Sequence, residues 1–127
     1  MSYGITLSFP SELLSGVHDF SADVFKMALY TEELDQSAAA YTATNELSGG
    51  SYVAGGNDIA LTLASSGNST TVSVAQEEFS IPTGTTAMMI YNSSKSNKSV
   101  FVSRTPFVPS GGTLTVLFNS PLLSFTV

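Results

Sequence analysis

The chain contains no cysteine. Disulfides, thiolate metal sites and cysteine nucleophiles are therefore excluded. It has no tryptophan and a single histidine, His18. Charged residues make up 11% of the sequence, well short of the roughly 25% of an ordinary domain, which suits a surface that meets other protein rather than bare solvent. No apolar run approaches the ~18–20 residues that a helix needs to cross a bilayer. Residues 1–20 lack the basic start and unbroken apolar segment of a secretory signal. These absences predict a protein made in a cytoplasm and not bound to membrane.

What is present points to β structure. Ser, Thr, Asn and Gly carry most of the polarity, the composition of a chain with many turns. At 127 residues there is enough sequence for one domain with its own core. The net charge is −6, with all ten acids in residues 1–80 and three of the four bases in residues 81–127. Phosphate contacts need clustered Lys or Arg, so nucleic-acid binding is not expected.

Residues 1–9 place Ile5, Leu7 and Phe9 alternately with polar residues, which predicts a strand or extended arm. Pro10 and Gly16 bracket a helix of one or two turns. Val24–Tyr30 is apolar on both faces except at Lys26, the pattern of a central strand covered on both sides. Residues 32–46 read as a long ordered loop, with a helical turn allowed at Ala38–Tyr41. Gly49, Gly50, Gly55 and Gly56 mark positions that need positive φ. Strands are predicted from Asn57 to Leu63, around Val72 and Val74, and from Phe79 to Ile81, where Pro82 halts the last. Thr86–Tyr91 and Ser99–Arg104 form the clearest hairpin, joined by the polar tip Asn92–Asn97. Thr105–Gly112, with Pro106 and Pro109, reads as a linker. Thr113–Phe118 alternates again, and Pro121 separates it from an apolar tail at 122–127. Short strands at this spacing predict an all-β, two-sheet sandwich of jelly-roll type with one or two short helical turns, in one domain spanning 1–127.

No catalytic constellation emerges. His18 is followed by Asp19, but adjacent side chains of an extended segment point to opposite faces. The acidic turn Glu32, Glu33 and Asp35, with Glu46 or Asp58, offers oxygen ligands for Ca²⁺. It does not match a calcium-loop spacing, so a solvated acidic turn is expected instead. The glycine pairs lack the Gly-Lys-Ser/Thr of a phosphate loop. Asn68, Asn92 and Asn97 begin glycosylation sequons but read as turn residues. Met27, Met88 and Met89 read as core filler. Neither metal nor cofactor is expected.

Four segments carry more than composition does. They are Gly16-Val-His-Asp-Phe-Ser-Ala-Asp-Val-Phe-Lys-Met-Ala-Leu-Tyr-Thr31, Ala40-Tyr-Thr-Ala-Thr-Asn-Glu46, Gly50-Ser-Tyr-Val-Ala-Gly-Gly56 and Ile90-Tyr-Asn-Ser-Ser-Lys-Ser-Asn97. In this order they resemble a family of small virion structural proteins of tailed bacteriophages, of the capsid cement or decoration type. The resemblance covers about residues 16–100, and the Pro-rich, apolar finish at 105–127 departs from it. It implies a virion component, and with no catalytic constellation in the sequence a non-enzymatic one is expected, with the major capsid protein or another virion protein as partner. The chain is then expected in the virion, as a homo-oligomer on the outer head surface. A tail or fibre-associated subunit is the alternative, and a carbohydrate-binding module is the alternative of another class. The expected partner interface comprises the apolar terminal residues Ile5, Leu7, Phe9, Leu122, Leu123, Phe125 and Val127, with the basic residues Lys95, Lys98 and Arg104. The terminal segments are expected to reach out and pair with a neighbour as extra strands.

Overall fold

The computed structural model describes residues 4–49, 52–80, 84–108, 113–116, 118 and 121–126. Gly50, Ile81, Pro82, Pro109 and Val127 lie outside the described residues. The fold is mostly β, with one short helix and several antiparallel sheets, and no closed barrel forms among the described residues.

The elements in chain order are β1 (Gly4–Ile5), α1 (Phe9–Leu14), β2 (Phe25–Tyr30), β3 (Asn57–Ile59), β4 (Leu61–Ser66), β5 (Ser69–Val74), β6 (Glu77–Ser80), β7 (Thr85–Asn92), β8 (Lys98–Val108), β9 (Thr113–Val116) and β10 (Leu123–Thr126). A five-stranded sheet has the order β1-β8-β7-β2-β3, a three-stranded sheet the order β10-β5-β4, and β6 pairs with β9.

β2 is a central strand, as its two apolar faces require. Side chains alternate across a strand. Phe25, Met27 and Leu29 therefore join one core with Phe9, Leu47, Tyr52, Val74, Phe79, Met88, Ile90, Val100 and Leu114. That core draws on all three sheets. Ala28 and Tyr30 face the other way, into a second cluster with Ala87, Met89, Tyr91 and Val102. Leu34, Ala38 and Tyr41 of the long loop cover this second face. Each fully buried aliphatic side chain contributes about 1.5–3 kcal/mol. The polar exception, Lys26, sits opposite Asp58 on β3, with 2.9 Å between charged groups.

The β7–β8 hairpin forms where its sequence predicts. Ser96 and Asn97, at φ 56° and 58°, take left-handed conformations that close its polar tip. α1 has Pro in its first turn, where a missing N–H costs nothing. Gly16 ends it at φ 84°. The Gly16 N–H donates to the Leu13 carbonyl (3.2 Å) and the Val17 N–H to the Glu12 carbonyl (2.9 Å). This is a Schellman closure, and it turns the chain sharply back along the helix.

Several expectations need correction. Residues 1–3 of the strand pattern at 1–9 lie outside the described residues; of the rest only Gly4–Ile5 is strand, and it pairs with Val102 and Phe101 of the same chain. Phe9 begins α1 and is buried, because Pro10 favours helix and a pocket is supplied by His18 and Phe20 at ring distances of 5.0 and 5.9 Å. Ala38–Tyr41 is extended rather than helical: Ala40 bridges to Lys98, and the Tyr41 N–H donates to the Asn97 carbonyl (2.9 Å). The strand predicted over 57–63 breaks at Ala60 into β3 and β4, which enter different sheets. The expected linker is strand as far as Val108. Thr85 pairs with Val108 and Ala87 with Arg104, so Pro106 falls within a register shift, where its missing N–H disrupts no regular ladder. The apolar tail does not leave the domain either. Leu123–Thr126 pairs with Val72–Ser69 of this chain.

Candidate functional site

The four segments behind the resemblance meet in space. Asn45 takes φ 62°, a left-handed conformation that Asn tolerates better than most residues. It sets Glu46 against the end of β2: the Thr31 N–H donates to the Asn45 carbonyl (2.9 Å) and the Leu47 N–H to the Leu29 carbonyl (3.0 Å). The Glu46 carboxylate then accepts three hydrogen bonds. The Tyr41 hydroxyl donates to Oε1. The Tyr52 hydroxyl and the Gly55 N–H both donate to Oε2, each at 2.7 Å. The Tyr52 oxygen in turn accepts from the Leu29 N–H at 3.0 Å. The Tyr91 hydroxyl donates to the Gly55 carbonyl and the Tyr30 hydroxyl to the Thr42 carbonyl (2.8 Å). Tyr41 and Tyr91 stack with centroids 4.8 Å apart.

Gly55 and Gly56 let this loop approach the sheet. Both have positive φ, and a Cβ on Gly56 would lie 1.9 Å from the Met27 carbonyl oxygen. Burial, reinforced by the nearby Glu46 charge, pushes the hydroxyls of Tyr30, Tyr41 and Tyr52 well above their ordinary range. The same causes, with Asp58 added, push Tyr91 up to about 12. All four remain protonated donors near neutral pH. The arrangement is a lock in which one carboxylate ties the long loop and the glycine loop to β2.

A second cluster surrounds His18, which is buried. The Schellman turn carries His18 back beneath α1, and its Nε2 lies 2.8 Å from Glu12 Oε1. The Asn92 amide nitrogen approaches Nδ1 (3.1 Å) and donates to Asp23 Oδ2 (2.8 Å). Asn92 Oδ1 accepts the Ser94 N–H (3.0 Å). This fixes the amide orientation, and the network assigns the ring proton to Nε2 with Nδ1 as acceptor. Lys95 Nζ donates to the Val17 carbonyl (3.0 Å) and to both Asp23 oxygens (3.2 and 3.1 Å). Burial pushes the Asp23 carboxyl up. Hydrogen bonds from Asn92, the Asp19 N–H and Lys95 outweigh it and hold the group below its usual value. The cluster clamps α1 and the 17–23 turn to the end of β7. A carboxylate–imidazole pair is present, but an amide nitrogen occupies the place where a nucleophile would meet the ring.

His18 and Asp19 do not act together. Asp19 instead accepts from the Ser21 hydroxyl and N–H, which lowers its pKa. The acidic residues divide similarly: Glu46 belongs to the tyrosine lock and Asp58 to Lys26. Among the described residues no three acidic or histidine side chains gather to hold a metal ion.

The expected interface residues scatter. Ile5, Leu122 and Leu123 are partly buried against the core, and Phe9 lies within it. Leu7 and Phe125 are exposed, at 69% and 58%. Lys95 is committed to Asp23, and Lys98 Nζ lies 3.9 Å from Glu12 Oε2. Much of the tip's positive charge is therefore offset within the chain. Arg104 falls on β8, with its side chain outside the described set. The contacts of Glu12, Asp23 and Asn92 have no local signature, since His18 and Asn92 stand 74 residues apart.

Comparison with protein-family models, with curated proteins and with solved structures gives no match.

Proposed function

We propose that this chain is a structural protein of a tailed-phage virion, a cement or decoration subunit that binds the outer head surface and stabilises the shell. The observation that supports the reading is the convergence on Glu46. Tyr30, Glu46, Tyr52, Gly55 and Tyr91 come from the separate segments that carry the resemblance, and they form one bonded unit. Four stretches joined in this way make one feature of the fold, and the resemblance rests on that feature as a whole. In this reading the sheets stack as a two-sheet, jelly-roll-like sandwich around the shared core, and an experimental structure tests that arrangement. The protein works by binding, without catalysis or cofactor, and its partners are the capsid protein and further copies of itself. Leu7 and Phe125 are its exposed apolar anchors among the terminal residues.

The test is to express the chain with a small epitope tag in a host producing the phage, and to image purified particles by immunogold labelling and electron cryomicroscopy. Label over the outer head surface is expected. Label confined to tails or fibres would move the protein to the tail, and particles without label would overturn the virion reading.

A further inference from the structure

Among the described residues β4 is an edge of the three-stranded sheet, and Thr62–Ser66 are exposed. Which backbone groups it presents outward follows from the ladder. The Ala75 N–H donates to the Ala60 carbonyl at 3.0 Å, which places Ala60 and Ala75 in a hydrogen-bonded pair. Such pairs alternate along an antiparallel ladder. The register Thr62↔Ser73, Ala64↔Thr71 and Ser66↔Ser69 continues the bonded series. Gly67, at φ 59°, supplies the positive φ that a type II′ turn needs at its first central position. The N–H and C=O groups of Leu61, Leu63 and Ser65 therefore point away from β5. No backbone hydrogen bond ties these three residues to another described segment.

Edges of this kind are normally protected by Lys, Pro, bulges or shortness. β4 has none of these. It is six residues long, its register with β5 is unbroken, and no charged residue occurs between Asp58 and Glu77. The strand also complements itself. Run antiparallel to a second copy about Leu63, it sets Leu63 opposite Leu63 and Leu61 opposite Ser65 of the second copy. All three outward residues then form bonded pairs, for about six hydrogen bonds. Leu63, 48% exposed in the single chain, would sit on the dyad against its own equivalent, with no like charges in opposition.

We propose that β4 is the site at which two copies of this chain join, through a two-fold antiparallel pairing centred on Leu63 that makes one six-stranded sheet. The assignment does not rest on the virion reading.

Sedimentation equilibrium of the full chain, with amide exchange followed by NMR at low and high protein concentration, tests it. A concentration-dependent dimer is expected, in which the amides of Leu61, Leu63 and Ser65 gain protection. Leu63→Pro removes an outward N–H and no bond to β5. It should weaken association tenfold or more, equivalent to about 1.4 kcal/mol. Ser124→Pro, on the opposite edge of the same sheet, should leave association unchanged. If Leu63→Pro fails to fold, Leu63→Lys takes its place, because it keeps the backbone and opposes two ammonium groups at the dyad. A monomer at every concentration overturns the proposal. So does a dimer that survives the Leu63 variants, or one lost equally on Ser124→Pro.

Discussion

Three glycines with almost the same positive φ meet very different surroundings, and substituting each by Ala separates two causes of strain. Gly16, Gly55 and Gly56 have φ of 84°, 93° and 84°. An added Cβ meets nothing within 4 Å at Gly16 and the Tyr91 hydroxyl oxygen at 3.3 Å at Gly55. At Gly56 it meets the Met27 carbonyl oxygen at 1.9 Å, the Met27 carbonyl carbon at 2.6 Å and the Ala28 Cα at 2.8 Å. Left-handed backbone costs an Ala about 1–2 kcal/mol wherever it occurs. Gly16→Ala should show that cost alone. Gly55→Ala should add a few tenths, because a phenol can shift slightly. At Gly56 the obstacle is the backbone of the central strand, which cannot rotate away. Relief requires the glycine loop to lift, breaking the Glu46 bond to Gly55, or β2 to move within a filled core. Overpacking of that kind adds about 1–3 kcal/mol, so Gly56→Ala should cost about 2–5 kcal/mol in total. Urea unfolding with a common m-value measures all three. A Gly56→Ala cost no larger than that of Gly16→Ala would refute the close approach of this loop to β2.

Leu29→Ala should cost about 2–5 kcal/mol in the same assay, and a loss below about 1 kcal/mol would mean that β2 is not central. Glu46→Gln replaces a charged acceptor of three donors by an amide that offers one oxygen, and should cost about 1–3 kcal/mol; an unchanged unfolding midpoint would show that the tyrosine lock contributes nothing. The raised tyrosines predict instability in alkali. Below pH about 10 both folded and unfolded phenols hold their protons and the stabilisation is complete. As pH rises further the unfolded tyrosines ionise first, so stability falls through a window that for Tyr91 runs to about 12. Most of the phenolate absorbance should therefore rise together with loss of the far-ultraviolet dichroism, and ionisation of more than one of the five tyrosines well before unfolding would contradict the burial of these hydroxyls.

The elements legible in the sequence are those whose signal is local. β2 announces itself by apolar residues on both faces, and the β7–β8 hairpin by a buried run, a polar tip and a return strand. Gly16 and Pro10 bracket α1 because helix ends have their own chemistry. Phe9 was misleading, since alternation at 5, 7 and 9 fits a strand until the pocket beside His18 is known. Pro106 reads as a linker residue in any one-dimensional pattern, because a register shift depends on the partner strand. The Glu46 lock was half visible: its glycines and Asn45 have backbone signatures, whereas the choice of Tyr41, Tyr52 and Gly55 as donors exists only in three dimensions. The Glu12, His18, Asn92 and Asp23 cluster left no local trace.

The strand order has a consequence for how the chain is made. β2 lies between β7 and β3, and its longer seam, from Phe25↔Asn92 to Tyr30↔Ala87, joins segments roughly sixty residues apart. β1 waits longer still, since Gly4 pairs with Val102. During synthesis Phe25-Lys-Met-Ala-Leu-Tyr30, apolar on both faces, therefore leaves the ribosome well before its main partner exists. Sheets closed by distant segments fold slowly, because the entropy of bringing the ends together is lost before any contact compensates for it. The interval between translation of β2 and of β7 is thus the period when the nascent chain is most prone to aggregate, and slower elongation between residues 31 and 85 should lower the soluble yield.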